Sequence, residues 1–206
     1  MAETKRDLRK EFKHLYTAST KSPEEIVVGP LQFLAVDGQG DPAQPGDFQD
    51  AIGALYPVAF TLKFGYKKGP EQIDYPVMPL EGLWWADDWS AYRRGDRVEW
   101  KWRAMIMVPE FVTPAVVANA VQAVRAKKGD IPQLDKVQLV EFDEGLAMQM
   151  VHVGPYATEP ETIDKIHAAI GAAGRSLWGS HHEIYLSDPN RTAPEKLKTL
   201  IRQPMR

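Results

Sequence analysis

Hydrophobic and polar positions along the 206-residue chain fall into an order of elements that occurs twice. An apolar run from Leu31 to Val36, ending at Asp37-Gly38, predicts a strand followed by a Gly- and Pro-rich loop. Phe48, Ile52, Leu55, Ala59 and Leu62 then recur at three- and four-residue steps, the stripe of an amphipathic helix. Tyr56, Phe60 and Phe64 form a second stripe beside it, and Pro57 predicts a bend or break. Residues 75–85 and 98–108 predict two paired strands joined through Arg93-Arg94-Gly95-Asp96. In the second of these, Trp100, Trp102, Ala104 and Ile106 share one face, and Lys101, Arg103, Met105 and Met107 the other.

Met150-Val151-His152-Val153-Gly154 repeats the opening of the first copy. Residues 136–142 and 146–153 predict strands that turn at Asp143-Glu144-Gly145. Thr158 with Glu161 matches a capping box, and Ile163, Ile166 and Ile170 supply the buried stripe of the next helix, up to Gly174. Strands over 181–187 and 199–202 follow. Thr113-Pro114 opens, and Lys127-Lys128-Gly129 closes, a helix linking the copies. Residues 5–16 predict a short helical arm, and the polar stretch around Pro23 a linker.

The resulting division is an arm over 1–28 and a domain over 29–206. Repeat one spans 29–110, the linking helix 113–129, and repeat two 136–206. A β-α-β-β unit this small cannot bury its apolar face alone, so the copies are expected to pair, with function in the cleft between them.

Composition narrows the chemistry. With 44% hydrophobic and 26% charged residues the chain is that of a globular protein, and a net charge of -3 gives no basic footprint for nucleic acid. The absence of cysteine excludes thiol catalysis and cysteine-ligated zinc. No apolar run approaches bilayer length and no secretory leader is visible, so a cytoplasmic protein without membrane contact is expected. Neither a Walker loop, a dinucleotide fingerprint nor a G-x-S-x-G elbow occurs, and no cofactor is expected.

Six tryptophans and seven methionines are a rich supply for this length. Trp84, Trp85, Trp89, Trp100 and Trp102 lie close together, either plugging an irregular core or forming an aromatic surface for a flat ligand. Trp84 and Trp85 are strand neighbours and point oppositely.

On His181-His182-Glu183-Ile184-Tyr185-Leu186, period-two geometry sets Glu183 and Tyr185 on the face opposite Ile184 and Leu186. That face is either solvated or aimed into the cleft, where a carboxylate among aromatic rings suits a ligand cation. Glu81 is a second candidate carboxylate, or a surface residue beside a turn. His152 shares a face with Met148 and Met150, more simply as a structural histidine. His181 and His182 point oppositely and make a poor metal pair, so no metal is expected.

The order Val36-Asp37-Gly38, Pro79-Leu80-Glu81-Gly82-Leu83-Trp84-Trp85, Trp100-Lys101-Trp102, His152-Val153-Gly154-Pro155-Tyr156 and Glu183-Ile184-Tyr185-Leu186-Ser187-Asp188-Pro189 resembles the stand-alone GyrI-like small-molecule-binding proteins. These are related to effector-binding domains of multidrug-responsive transcription regulators. The resemblance implies an α+β fold of two pseudo-symmetric β-α-β-β halves, with two antiparallel sheets and helices around a central ligand groove. It implies binding of aromatic or cationic compounds with a glutamate at the centre, which Glu183 matches best, accompanied by Tyr185. Walls would come from Trp84, Trp85, Trp100, Trp102, Tyr56 and Phe60, with Met148 and Met150 as adaptable filler.

Three functions follow: sequestration of amphipathic ligands by a monomer, hydrolysis of cyclopropane-bearing cytotoxins, or a partner-binding role against a DNA-handling enzyme. In the second, Glu183 would be general base and Tyr185 hydrogen-bond donor. The mild net charge argues against nucleic-acid mimicry in the third. No DNA-binding segment is visible, which argues against a direct regulatory role.

Overall fold

The computed structural model describes residues 4–87 and 99–206. Trp89, the Arg93-Arg94-Gly95-Asp96 connection and Val98 therefore lie outside the described residues. In chain order the elements are β1 (Thr4–Lys5), α1 (Leu8–Glu11), β2 (Glu24–Val28), β3 (Leu31–Gln39), α2 (Asp47–Lys68), β4 (Ile73–Asp74) and β5 (Leu80–Trp85). These are followed by β6 (Lys101–Val108), α3 (Pro114–Lys128), β7 (Gln138–Phe142), β8 (Gly145–Val153), α4 (Glu159–Ala172), β9 (His181–Tyr185) and β10 (Lys198–Pro204). The class is α+β, with antiparallel strand pairing and one short parallel pair, β1 with β4.

The chain divides into two compact units. The first holds the N-terminal residues to Glu11, Leu31–Leu80 and Trp84–Phe142. Here β3 pairs antiparallel with β6 on one side and β7 on the other, and α2 packs on this sheet beside α3. The second holds Phe12–Pro30, Glu81–Leu83 and Asp143–Arg206, with β8 and β9 flanking β10 and β2 on the far side of β8.

Sequence repetition and sheet pairing are offset by one strand. β2 precedes β3 in the chain but pairs with β8, from Glu24 opposite Gln149 to Val28 opposite Gly145. β7 precedes β8 but pairs with β3, from Leu31 opposite Phe142 to Ala35 opposite Gln138. Each unit thus begins its sheet with the strand that the chain places before the other copy.

The structure departs from several local expectations. α2 runs unbroken through Pro57. A proline in a helix interior forfeits a hydrogen bond and costs about 3 kcal/mol. Burying Leu55, Val58 and Leu62 on the sheet, each contributing roughly 1.5–3 kcal/mol, offsets that cost. The stretch around Pro23 is not only a linker, because β2 starts at Glu24 directly after it. Between residues 75 and 85, only Leu80–Trp85 forms the expected long strand.

Helix α3 matches its signals: Thr113 accepts from the Val116 amide, Pro114 opens the first turn, and Gly129 takes a positive φ of 77°. The capping box at Thr158 does not form. The Thr158 hydroxyl donates to the Pro155 carbonyl instead and lies 3.1 Å from His152 Nε2. α4 is held by burial: Ile163, Ile166 and Ile170 pack on Met148, Met150, Ile201 and Met205 of the second unit.

Candidate functional site

Register fixes the two faces of the β8–β10–β9 sheet. Opposite residues of antiparallel strands share a face, so His182 lies with Arg202, and Glu183 with Ile201. Tyr185 lies with Thr199, and through β10 with His152, while Ile201 lies with Met150. Met150 and Ile201 pack under α4, so Glu183, Tyr185, Met148, Met150 and His152 occupy the helix-bearing face. The expected opposition of Glu183 and Tyr185 to Ile184 holds, and these five residues share one surface.

The opposite face holds a closed ionic lattice. His182 Nδ1 is 2.9 Å from Glu144 Oε1 and Nε2 is 3.0 Å from Glu81 Oε2. Arg202 donates to Glu144 at 2.9 Å, to Gln149 at 3.0 and 3.1 Å, and to the Leu15 carbonyl at 2.6 Å. The Tyr16 hydroxyl donates to Glu81 at 2.6 Å. Two cations therefore face two carboxylates, all sealed from solvent. Burial alone would neutralise His182, but the Glu144 and Glu81 carboxylates outweigh it and raise its pKa to about 9. Burial opposes ionisation of Glu144 too, and His182 and Arg202 overcome it, holding this carboxyl well below the usual range.

The helix-bearing face holds an acidic cluster of another kind. The Tyr185 hydroxyl donates to Glu183 Oε2 at 2.9 Å, and His181 Nε2 is 3.2 Å from Glu183 Oε1. Tyr156, in the turn before α4, meets Tyr185 edge-on with ring centroids 6.1 Å apart. Glu159, the first residue of α4, is only 5% exposed and its Oε1 has no hydrogen-bond partner. Burial, then the Glu183 charge, raise the Glu159 pKa to about 8, against a Thr199 hydrogen bond that lowers it. Burial and the neighbouring carboxylates also push the Tyr156 phenol to about 12 and raise Tyr185 well above the ordinary phenol value. The Glu183 side chain keeps 16% of its surface accessible.

His152 is structural in its bonding. Nδ1 meets Thr162 Oγ1 at 2.9 Å, and Nε2 meets Thr158 Oγ1 and the Pro155 carbonyl, pinning the turn that carries Tyr156. Glu81 is likewise engaged through both oxygens, on the lattice side of the sheet and apart from Glu183.

In the first unit, Phe48 centres an aromatic group. Its ring lies 4.9 Å from Trp84 and 5.1 Å from Trp102, and Trp84 lies 6.1 Å from Trp100. Trp102 is sealed in the core against Gly38, where an added Cβ would come within 2.2 Å of the indole. Trp84 is buried with its indole N–H unpartnered, whereas Trp85 and Trp100 are half-buried. Tyr56, Phe60 and Phe64 form a stacked ladder along α2, and Phe60 and Phe64 are exposed.

Sequence reasoning missed Glu159 and the lattice. Glu159 stands between Thr158 and Glu161, the pair read as a capping box, and nothing in its spacing marks it as buried. Tyr156 was signalled by the His152-Val153-Gly154-Pro155-Tyr156 motif, though not as a site residue. Among the described residues no cluster of three or more His, Asp or Glu side chains has the arrangement to hold a metal. No described helix is long and apolar enough to cross a membrane.

Comparison with solved structures places this architecture. A conserved protein of Listeria innocua described as uncharacterized is 39% identical, with a TM-score of 0.88 over 97% of this chain and 99% of its own. Two hydrolases from the same organism are 38% and 37% identical, with TM-scores of 0.84 and 0.87. The matches cover 97% and 98% of this chain and 99% and 100% of theirs. No protein with a curated description matches significantly. The model of the GyrI-like small-molecule-binding domain matches residues 21–206, and the chain belongs to that family.

Proposed function

We propose that the protein binds aromatic small molecules on the Glu183 face of β9 and hydrolyses those carrying a strained cyclopropane conjugated to a carbonyl. The observation that carries this reading is the Tyr185–Glu183 hydrogen bond, a phenol and a carboxylate poised together in a mostly buried cluster. The two hydrolases at 38% and 37% identity over nearly the whole chain support it.

In the proposed reaction Glu183 takes a proton from water as its oxygen bonds to a ring carbon. The carbon–carbon bond breaks and its electron pair moves to the conjugated carbonyl oxygen. As Glu183 gains that proton, the Tyr185 hydroxyl is released from it and donates to the developing oxyanion. His181, 3.2 Å from the other Glu183 oxygen, orients the base. Tyr156 and Tyr185 offer ring surface to the ligand.

Sequestration of cationic aromatic compounds is the second reading. A carboxylate beside two phenol rings attracts a cation whether or not chemistry follows. Incubating a cyclopropane-bearing aryl ketone with one-hundredth its amount of protein separates the two. Hydrolysis consumes all of the compound, and sequestration protects only one equivalent per chain.

A further inference from the structure

Glu159 is the buried ionisable group that this reaction leaves unused. Its side chain is nine-tenths buried, one oxygen is unpartnered, and it opens α4 directly after the turn that carries Tyr156. The ionisable groups of this part of the second unit are Glu183, Tyr185 and His181 on β9, Tyr156 in the turn, His152 on β8 and Asp188 beyond β9. Among the described residues no lysine or arginine pairs with Glu159 or Glu183. Two carboxyls that sense each other without a cation between them cannot both ionise cheaply.

We propose that Glu159 and Glu183 hold one proton between them, that Glu159 carries it at rest, and that Glu159 is the acid of the site. The inference rests on the hydrolytic reading for its chemistry, and on burial and the unpartnered oxygen for its geometry. Ring opening leaves a negative charge on the carbonyl oxygen and a proton on Glu183. Glu159 delivers its proton to that oxygen, directly or through the Tyr185 hydroxyl. Water has then been added across the ring bond, Glu159 is ionised and Glu183 is protonated. The pair carries a charge of minus one at rest, lends it to the substrate oxygen during ring opening and regains it when Glu159 delivers its proton. It resets by passing the proton back. No oxidant, reductant or cofactor enters the balance. The shift of Glu159 to about 8 agrees with this resting state at neutral pH.

Carbon-13 NMR of protein labelled at glutamate carboxyls tests the pairing without any substrate. The expected result is one carboxyl signal titrating near pH 8, lost in Glu159→Gln and moved to lower pH in Glu183→Gln. A Glu159 signal that titrates in the ordinary carboxylate range overturns the proposal. The second arm measures kcat/KM against pH for the cyclopropane-bearing aryl ketone. Wild type should lose activity as pH rises through about 8, where Glu159 gives up its proton. Glu159→Gln should bind the ketone within about threefold of wild type, turn over at least a hundredfold more slowly and lack that basic limb. Glu159→Asp, which restores an acid, should recover part of the rate. A Glu159→Gln variant with wild-type rate and an unchanged limb also overturns the proposal. Wild type that shows no turnover at all sinks the hydrolytic reading instead, and the NMR titration then decides the shared proton alone.

Discussion

His182 and Glu183 are neighbours on one strand, yet they enter opposite kinds of buried polar environment. On the His182 face every charge is answered: Arg202 and His182 stand against Glu144 and Glu81, with Gln149, Tyr16 and the Leu15 carbonyl taking the remaining bonds. On the Glu183 face two carboxyls and two phenols gather with His181 beside them and, among the described residues, no lysine or arginine paired to either carboxyl. One Glu159 oxygen is left over. A satisfied network stabilises a fold and has nothing left to offer a ligand. An unsatisfied one costs stability and is retained where it does chemistry. On the proposed function, single-residue alternation along β9 separates scaffold from site.

The sharpest way to break the comparison is to damage the scaffold side. Arg202→Met leaves Glu144 buried without its guanidinium and should lower unfolding free energy by about 3–5 kcal/mol in urea denaturation. A loss below about 1 kcal/mol would mean that the lattice is not what secures this sheet. On the site side, Tyr185→Phe should leave stability within about 1 kcal/mol while slowing turnover roughly a hundredfold. If both variants lose stability and neither loses turnover specifically, the two faces do not differ in role.

Next in size is a stability gain from disarming the site. The raised Glu159 pKa means that its favourable contribution is present below the ordinary value of 4.5 and lost as pH climbs through about 8. Glu159→Gln escapes that loss. Its stability relative to wild type should therefore improve by on the order of 2 kcal/mol between pH 4.5 and pH 8.5. A constant difference across that range would show that Glu159 ionises freely.

The smallest effect belongs to the lattice. His182 has a raised pKa, so its contribution is whole below 6.5 and fades as pH rises through about 9. Glu144 has a lowered one, so its contribution is whole above 4.5 and fades in strong acid. In Glu159→Gln, which removes the site's own titration, stability should hold between those two values and fall by on the order of 1 kcal/mol by pH 9.5. A rise over the alkaline range would contradict the charged state of His182.

Much of this was legible in the residues because it was local. Period-two alternation set Glu183 and Tyr185 on one face, and the isoleucine stripe defined α4 before any coordinates. What was hidden depended on distant partners. β2 carries Glu24 and Glu25 and follows a proline, and only pairing with β8, more than a hundred residues away, makes it a strand. The lattice gathers residues 16, 81, 144, 182 and 202 from five separate stretches, and no spacing rule foretells that. Pro57 misled because local cost was weighed without the burial that offsets it. The aromatic supply divided in a way that composition could not show, with Trp102 sealed over Gly38 and Phe60 left exposed on α2.

The most direct test of the Glu183 face as a hydrolytic site is turnover in water enriched in oxygen-18. Wild type at catalytic amounts should convert a cyclopropane-bearing aryl ketone through many turnovers, with one labelled oxygen in each product molecule. Glu183→Gln should still bind the compound while its rate falls at least a hundredfold. One-to-one uptake with no labelled product, or an undiminished rate in Glu183→Gln, would contradict the account.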